Sequence, residues 1–233
     1  MKLAIMQPYF CPYLGYFQLI NAVDVFVVYD NIEYTKKGWI NRNRILINNE
    51  ASMFTIPLRK GSDFLNINER FLAEDASKKN STVLRQIHSS YFKAPYFKEI
   101  FPVLEDIFLT KAENLFQYIF YSLKTFIAFL DINTKMLISS DIKIEHTLKG
   151  KEKVLAICKN LEADTYINPI GGSELYSKDY FLGSNIRLYF LQMNDVVYKQ
   201  NSDDFIQSLS IIDVLMFNGK KRTTALLNEY KLS

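Results

Sequence analysis

The 233-residue sequence is poor in cysteine, histidine and tryptophan, with two, two and one of them respectively. Cys11 and Cys158 lie far apart and belong to no CxxC or other metal-ligand spacing, which excludes a disulfide framework. Two histidines without a cysteine cluster make a poor zinc set. Charge of one sign is also scarce. Lys plus Arg is 28 and Asp plus Glu is 25, a net +3. That balance does not mark a nucleic-acid-coating protein, so no nucleic acid is expected. No hydrophobic run reaches the ~20 residues of a membrane helix. The most apolar stretch, Leu115 to Leu130, is interrupted by Gln117 and Lys124. The start, Met1-Lys2-Leu3-Ala4-Ile5-Met6, is too short for a signal-peptide core. A cytoplasmic location with no membrane span is expected. There is no internal repeat and no Gly/Ser/Pro-rich linker.

What is present is a large apolar and aromatic content. The hydrophobic fraction is 48%, with 18 Phe and 15 Tyr. A low-GC genome favours the same residues, but tyrosine also suits wet cavities and interfaces. Lys2 to Met6 predicts a strand, Tyr16 to Ala22 a helix and Asp24 to Asp30 a buried strand, together a βαβ unit. Short extended pieces follow at Trp39 to Asn48, Met53 to Leu58 and Leu65 to Leu72. Asp75 to Leu130 is helical, broken at Ala94-Pro95. In it, Phe116, Ile119, Phe120, Leu123, Phe126, Ile127 and Leu130 keep helical spacing, which predicts a core helix. Strands are then predicted at Lys135 to Ser139, Thr165 to Pro169 and Ile186 to Met193. Helices are predicted at Gly150 to Leu161, just after Gly171-Gly172, and at Asp203 to Phe217, stopping at Asn218-Gly219. The expected fold is α/β: a parallel Rossmann-like sheet flanked by helices, with an inserted mainly helical segment. The whole chain, 1–233, reads as one domain with the insert at about 60–132.

Ligands of such sheets bind at the carboxyl ends of the strands, near the switch in strand order. Five candidate loops follow strands: Gln7 to Gly15, Asp30 to Arg44, Ser139 to Asp141, Asn168 to Ser173 and Gln192 to Tyr198. Gln7, Tyr9, Tyr13 and Tyr16 could stack a base or sugar and hydrogen-bond phosphate, or simply pack a turn set by Pro8 and Pro12. Asp30, Glu33, Lys36, Lys37, Arg42, Asn43 and Arg44 are the densest charged cluster. An arginine fork suits a diphosphate, whereas ordinary ion pairs on a hairpin are the plain alternative. Alternation would put Asn41 and Asn43 on one face and Arg42 and Arg44 on the other. Asp30, at a strand end, is a candidate general base. His88 is either an acid/base group or a part-exposed helix residue. His146, in a loop, ranks below it. Gly171 and Gly172 open a turn whose N–H groups could meet an anion, or merely turn the chain. Cys11 would need a nearby base to act as a nucleophile, Cys158 reads as core, and Asp213 as a buried carboxylate in need of a partner.

The string Met6-Gln7-Pro8-Tyr9-Phe10-Cys11-Pro12-Tyr13-Leu14-Gly15-Tyr16-Phe17-Gln18-Leu19-Ile20 resembles the N-terminal signature of the WbqC-like family. The resemblance continues through Asp30-Asn31-Ile32-Glu33-Tyr34, Lys37-Gly38-Trp39-Ile40-Asn41-Arg42-Asn43-Arg44-Ile45 and Tyr91-Phe92-Lys93-Ala94-Pro95-Tyr96-Phe97. It extends to Gly171-Gly172 and to Leu209-Ser210-Ile211-Ile212-Asp213 with Asn218-Gly219. Tyr166 to Ile170 departs from the more common small-residue form of that loop. The resemblance implies work in O-antigen and other lipopolysaccharide or surface-polysaccharide pathways. With it, Lys37, Trp39 and Asn41 to Arg44 become substrate-binding candidates. Tyr13-Leu14-Gly15-Tyr16 is also similar, at superfamily level, to the HxGH turn of nucleotidylyltransferases and pantothenate synthetase, with Tyr at both His positions.

These resemblances imply a transferase or ligase acting on a dTDP- or UDP-amino sugar by N-acyl or aminoacyl transfer, or amide formation. Arg42 or Arg44 would hold the diphosphate, Tyr13 and Tyr16 would frame the pocket, and Asp30 or His88 would take the amine proton. The cofactor stays open between ATP with Mg²⁺ and an acyl donor. No resident metal is expected. Two alternatives are a non-catalytic binding or assembly protein of the same pathway, and a nucleotidylyltransferase.

Overall fold

A computed structural model describes residues 1–62, 64–202 and 204–233. The chain opens with β1 (Lys2–Met6), α1 (Leu14–Asn21) and β2 (Val25–Val28). These are apolar runs whose strands are buried on both faces, as a covered parallel sheet demands. A two-stranded hairpin follows, β3 (Arg42–Ile47) with β4 (Glu50–Thr55), turning through Asn48 and Asn49 at φ 53° and 66°. Three helices come next: α2 (Ala76–Tyr91), α3 (Phe97–Leu109) and α4 (Leu115–Phe129). The chain then resumes alternation with β5 (Lys135–Ile138), α5 (Gly150–Asn160), β6 (Thr165–Pro169), α6 (Lys178–Leu182), β7 (Arg187–Met193), α7 (Ile211–Leu226) and β8 (Tyr230–Leu232).

The main sheet has six strands in the order β5-β2-β1-β6-β7-β8, and every pairing is parallel except β7 with β8. From β1 the chain moves outward through β2 to β5, then crosses back to β6 on the other side of β1. The switch in direction therefore lies between β1 and β6. Side-chain alternation divides the core in two. Ala4, Phe26 and Val28 face a larger core with Phe17 of α1, Ile87 of α2, Leu104 of α3, Phe126 of α4 and Leu215 of α7. Leu3, Ile5, Val25 and Val27 face a smaller one with Val154, Ile157 and Cys158 of α5 and Phe181 of α6. Phe116, Ile119, Leu123, Phe126, Ile127 and Leu130 are buried, so α4 is the core helix its spacing predicts. The long crossover from β2 to β5 carries α2 to α4 and also the β3–β4 hairpin.

Three expectations change. The last helix starts at Ile211 and not near residue 203, because the Ser210 hydroxyl accepts from the Ile212 N–H and caps it there. Asp203 itself lies outside the described residues. The stop at Asn218-Gly219 is a kink, after which helix resumes to Leu226. Gly219 sits at φ 63°, and a Cβ on it would lie 2.4 Å from the Tyr96 ring, so both backbone and space call for glycine. The antiparallel edge strand β8 was not foreseen.

Candidate functional site

Past Met6 the chain makes a tight turn that other elements hold from two sides. Cys11 sits at φ 45° and is buried. Its carbonyl accepts from Asn43 Nδ2 at 2.8 Å and from the Ser210 hydroxyl at 2.6 Å. The Ile211 N–H donates to the Pro12 carbonyl at 2.8 Å, and the Tyr16 hydroxyl to the Gln7 carbonyl at 2.8 Å. The turn is thus fastened to β3 and to the start of α7. Opposite it, β6 ends in Asn168 and Pro169 and runs into Gly171 and Gly172. Asn168 Nδ2 donates to the Tyr166 hydroxyl at 3.0 Å, and a Cβ on Gly172 would press on the Asn168 amide at 2.8 Å.

Between these walls, at the carboxyl ends of β1 and β6, lies a crevice of about 720 Å³. That is the position and size of a ligand pocket in an open α/β sheet. Gln7, Tyr9 and Tyr13 line it from the turn, Asn168, Gly171 and Gly172 from β6, and Gln192 and Met193 from β7. Tyr29, Ile32, Trp39, Asn43 and Arg44 line it from the β2–β5 crossover.

Arg44 is the one charged residue among the described lining residues. Its guanidinium lies 5.5 Å from the Trp39 ring centroid. One Nη donates to the Gln207 carbonyl at 3.5 Å, and the buried Nε has no partner. Donor capacity for an anion therefore remains. The tyrosines are neutral hydrogen-bonding groups. Burial, reinforced by Tyr13, pushes the Tyr9 hydroxyl up to about 12, and burial raises Tyr13 and Tyr29 as well. Among the described residues no group of His, Cys, Asp and Glu could hold a metal ion, and no helix is long and apolar enough to cross a membrane.

Of the residues singled out from sequence, Gln7, Tyr9, Tyr13, Trp39, Asn43, Arg44, Gly171 and Gly172 meet at the crevice. The others do not. Tyr16 is buried beneath the turn, its hydroxyl taken by Gln7. Asn41 is buried between the Tyr34 hydroxyl and the Ile56 carbonyl. Arg42 lies over Trp39 and is spent on the carbonyls of Lys37 and Gly38, while Lys37 itself is exposed. The expected alternation holds in burial, with Asn41 and Asn43 buried and Arg42 and Arg44 partly exposed.

Asp30 is buried, and both of its carboxylate oxygens are engaged by neighbouring donors. Its carboxylate accepts from the Ser140 N–H at 2.9 Å, the Ser140 hydroxyl at 2.7 Å and Asn68 Nδ2 at 2.8 Å. His88 is exposed on α2, edge-on to Phe97 and Phe101. Neither is among the residues that line the crevice. His146 pairs with the Asn31 amide at 2.9 Å. Burial pushes the Cys11 thiol up, so it is no thiolate. Tyr29, Tyr176 and Ser208 line the crevice and were missed. Only Tyr29 carried a signal, its place at a strand end beside Asp30.

A mainly parallel sheet in this order, with a polar, aromatic crevice at its switch point, defines a Rossmann-like α/β protein. Residues 7–225 match the WbqC-like protein family, and the chain belongs to it. It is 31% identical over 221 residues, 93% of each chain, to "Uncharacterized protein Rv1507c" of Mycobacterium tuberculosis (strain ATCC 25618 / H37Rv). No solved structure matches it.

Proposed function

We propose that this protein is a transferase or ligase of surface-polysaccharide biosynthesis that binds a dTDP- or UDP-amino sugar in the switch-point crevice and forms an amide on the sugar amine. The observation that carries this reading is the crevice itself. It joins one cation, Arg44, to aromatic rings and side-chain amides from both sides of the switch. Arg44 suits the diphosphate, the rings of Trp39, Tyr9 and Tyr13 suit base and sugar faces, and Gln7, Asn43, Asn168 and Gln192 suit sugar hydroxyls. The amine nitrogen forms a bond to the acyl carbon, the bond from that carbon to its carrier breaks, and the carrier leaves with the electron pair and takes up the amine proton. The protein's part is to hold amine and acyl carbon together with water excluded. The nucleotidylyltransferase alternative fits less well, since Tyr16 turns its hydroxyl to Gln7 and not to the crevice.

One observation favours a second reading, a binding protein without turnover. The described lining residues include neither a carboxylate nor a histidine to take the amine proton. One experiment separates the two. Thermal midpoints with UDP- and dTDP-amino sugars should rise in the wild type, reflecting a stabilisation of about 2.7 kcal/mol at 100 times the dissociation constant. The rise should vanish in Arg44→Gln. No rise with any amino-sugar nucleotide would sink both readings. A rise without amide product, whatever acyl donor is added, would leave the binding protein standing.

A further inference from the structure

A cleft of about 320 Å³ opens beside the end of β4, walled by Thr55 and the loop after it to Gly61, with Tyr34, Asn41 and Arg70 opposite. It shares no lining residue with the crevice, although the chain between them is short. Trp39 and Asn43 line the crevice, and Asn41 lines the cleft. Its charge is of one sign. Lys36, Arg59, Lys60 and Arg70 line it, and the described lining residues include no Asp or Glu.

Arg70 is the fixed point of the cleft. It is 5% exposed. Its N–H donates to the Ile67 carbonyl at 3.2 Å, and its carbonyl accepts from the Leu115 N–H at 2.9 Å, which fastens it to the start of α4. The guanidinium lies 4.8 Å from the Tyr34 ring centroid. Nη1 donates to the Ser62 carbonyl at 2.8 Å and Nη2 to the Arg59 carbonyl at 3.2 Å. A guanidinium has five N–H donors, so these contacts leave most of them for another acceptor. Among the described residues no carboxylate forms an ion pair with Arg70. A buried cation met only by carbonyl dipoles and a ring is costly, and an anion in the cleft would supply the opposite charge. Gly61 leaves the approach open, since a Cβ there would lie 3.5 Å from Nη1.

We propose that this cleft is a second anion site, which takes a diphosphate group. Arg70 is the fixed fork that bonds the phosphate oxygens, and the exposed Arg59 and Lys60 close on them from the lip. Arg59 is held there over the Phe71 ring, 5.9 Å from its centroid. Several cations around one cleft match an anion of more than one charge, which favours diphosphate over a carboxylate. Free inorganic diphosphate and the diphosphate of a nucleotide present the same oxygens. The site does not rest on the crevice reading.

The test is calorimetric titration with inorganic diphosphate, and separately with ADP, at about 0.15 M salt, where loose surface attraction is screened. Diphosphate should bind the wild type, and binding should survive in Arg44→Gln, whose crevice has lost its cation. Arg59 and Lys60 are exposed, so the double variant Arg59→Gln/Lys60→Gln reads the cleft without disturbing the core. It should weaken diphosphate by roughly tenfold or more, the loss of charge-assisted hydrogen bonds. Arg70→Lys, which keeps the charge and loses the fork, should weaken it by a similar factor. No binding to the wild type, loss of binding in Arg44→Gln, or unchanged binding in the Arg59/Lys60 variant or in Arg70→Lys overturns the site. With the site upheld, tighter binding of ADP assigns it to a nucleotide, and equal or weaker binding of ADP assigns it to free diphosphate.

Discussion

Two buried carboxylates, Asp30 and Asp213, are held in different ways. Asp30 follows Tyr29, which lines the crevice, and receives one backbone N–H, one hydroxyl and one amide. A cation is near it. Lys153 is buried, with Nζ 3.1 Å from the Asn31 carbonyl. Burial lowers the Lys153 ammonium, and the charge of Asp30 partly restores it. Asp213 is held by neutral groups: the hydroxyls of Tyr91 and Tyr198, both at 2.8 Å, and Gln200 Nε2 at 3.1 Å. Burial raises its pKa, and these three hydrogen bonds pull it back down. Tyr91 also accepts from the Leu46 N–H, so the Asp213 network ties β3, α2, α7 and the segment after β7 together. A buried carboxylate is thus no sign of catalysis by itself. Both are joints of the frame that sets the crevice walls, and Asp213 leans more on each donor because no cation shares its charge.

The largest effect is expected at the joint without a cation. Asp213→Ala leaves Tyr91, Tyr198 and Gln200 without their shared acceptor and should cost about 4 kcal/mol in urea unfolding. Asp30→Asn keeps the shape and one acceptor oxygen, and should cost about 2 kcal/mol. If Asp30→Asn proves the more damaging, the ranking drawn from Lys153 is wrong. Tyr198→Phe removes a single donor, with an expected loss of about 1 kcal/mol.

Acidity sharpens the contrast. Folding raises the Asp213 pKa above its ordinary value of 3.8, so its protonated form is the favoured one in the folded state. The resulting contribution to stability is full below 3.8 and is lost as pH rises through the raised folded value. Asp213→Asn should flatten that part of the stability–pH curve, and an unchanged curve would show that Asp213 does not supply it. The smallest effect on stability should come from Arg44→Gln, within about 0.5 kcal/mol, because its carbonyl contact is long. Its effect on ligand binding should be the largest of the set. A frame residue and a ligand residue would then be told apart by opposite ratios of stability loss to binding loss.

Most of the sheet could be read from sequence because its strands are short apolar runs bounded by turn residues. β1 and β6 fall where the pattern puts them. The start of α7 could not be read that way. Ile206 onward carries apolar residues at helical spacing, but Gln200 holds the Ile206 backbone at both N–H and carbonyl, and Ser210 caps the helix later. The crevice was half legible. Gln7, Tyr13, Asn43 and Arg44 lie in dense local motifs, whereas Tyr176 and Ser208 sit in unremarkable loops and reach the crevice only because β6 and β7 are stacked beside β1. For Asp30 and His88 the sequence names a polar group without its partners.

The sequence by itself determined the class of fold, since alternating apolar strands and helices can bury their faces in few ways. It also determined the turn after β1, where Pro8, Pro12 and the aromatic residues restrict the backbone. Only the tertiary structure decided which polar groups are spent and which remain for a ligand. The hydrogen bonds of Asp30 with Asn68 and of Asn41 with Ile56 join residues that are neighbours only after folding, and the unpartnered Nε of Arg44 is what the pairings leave over.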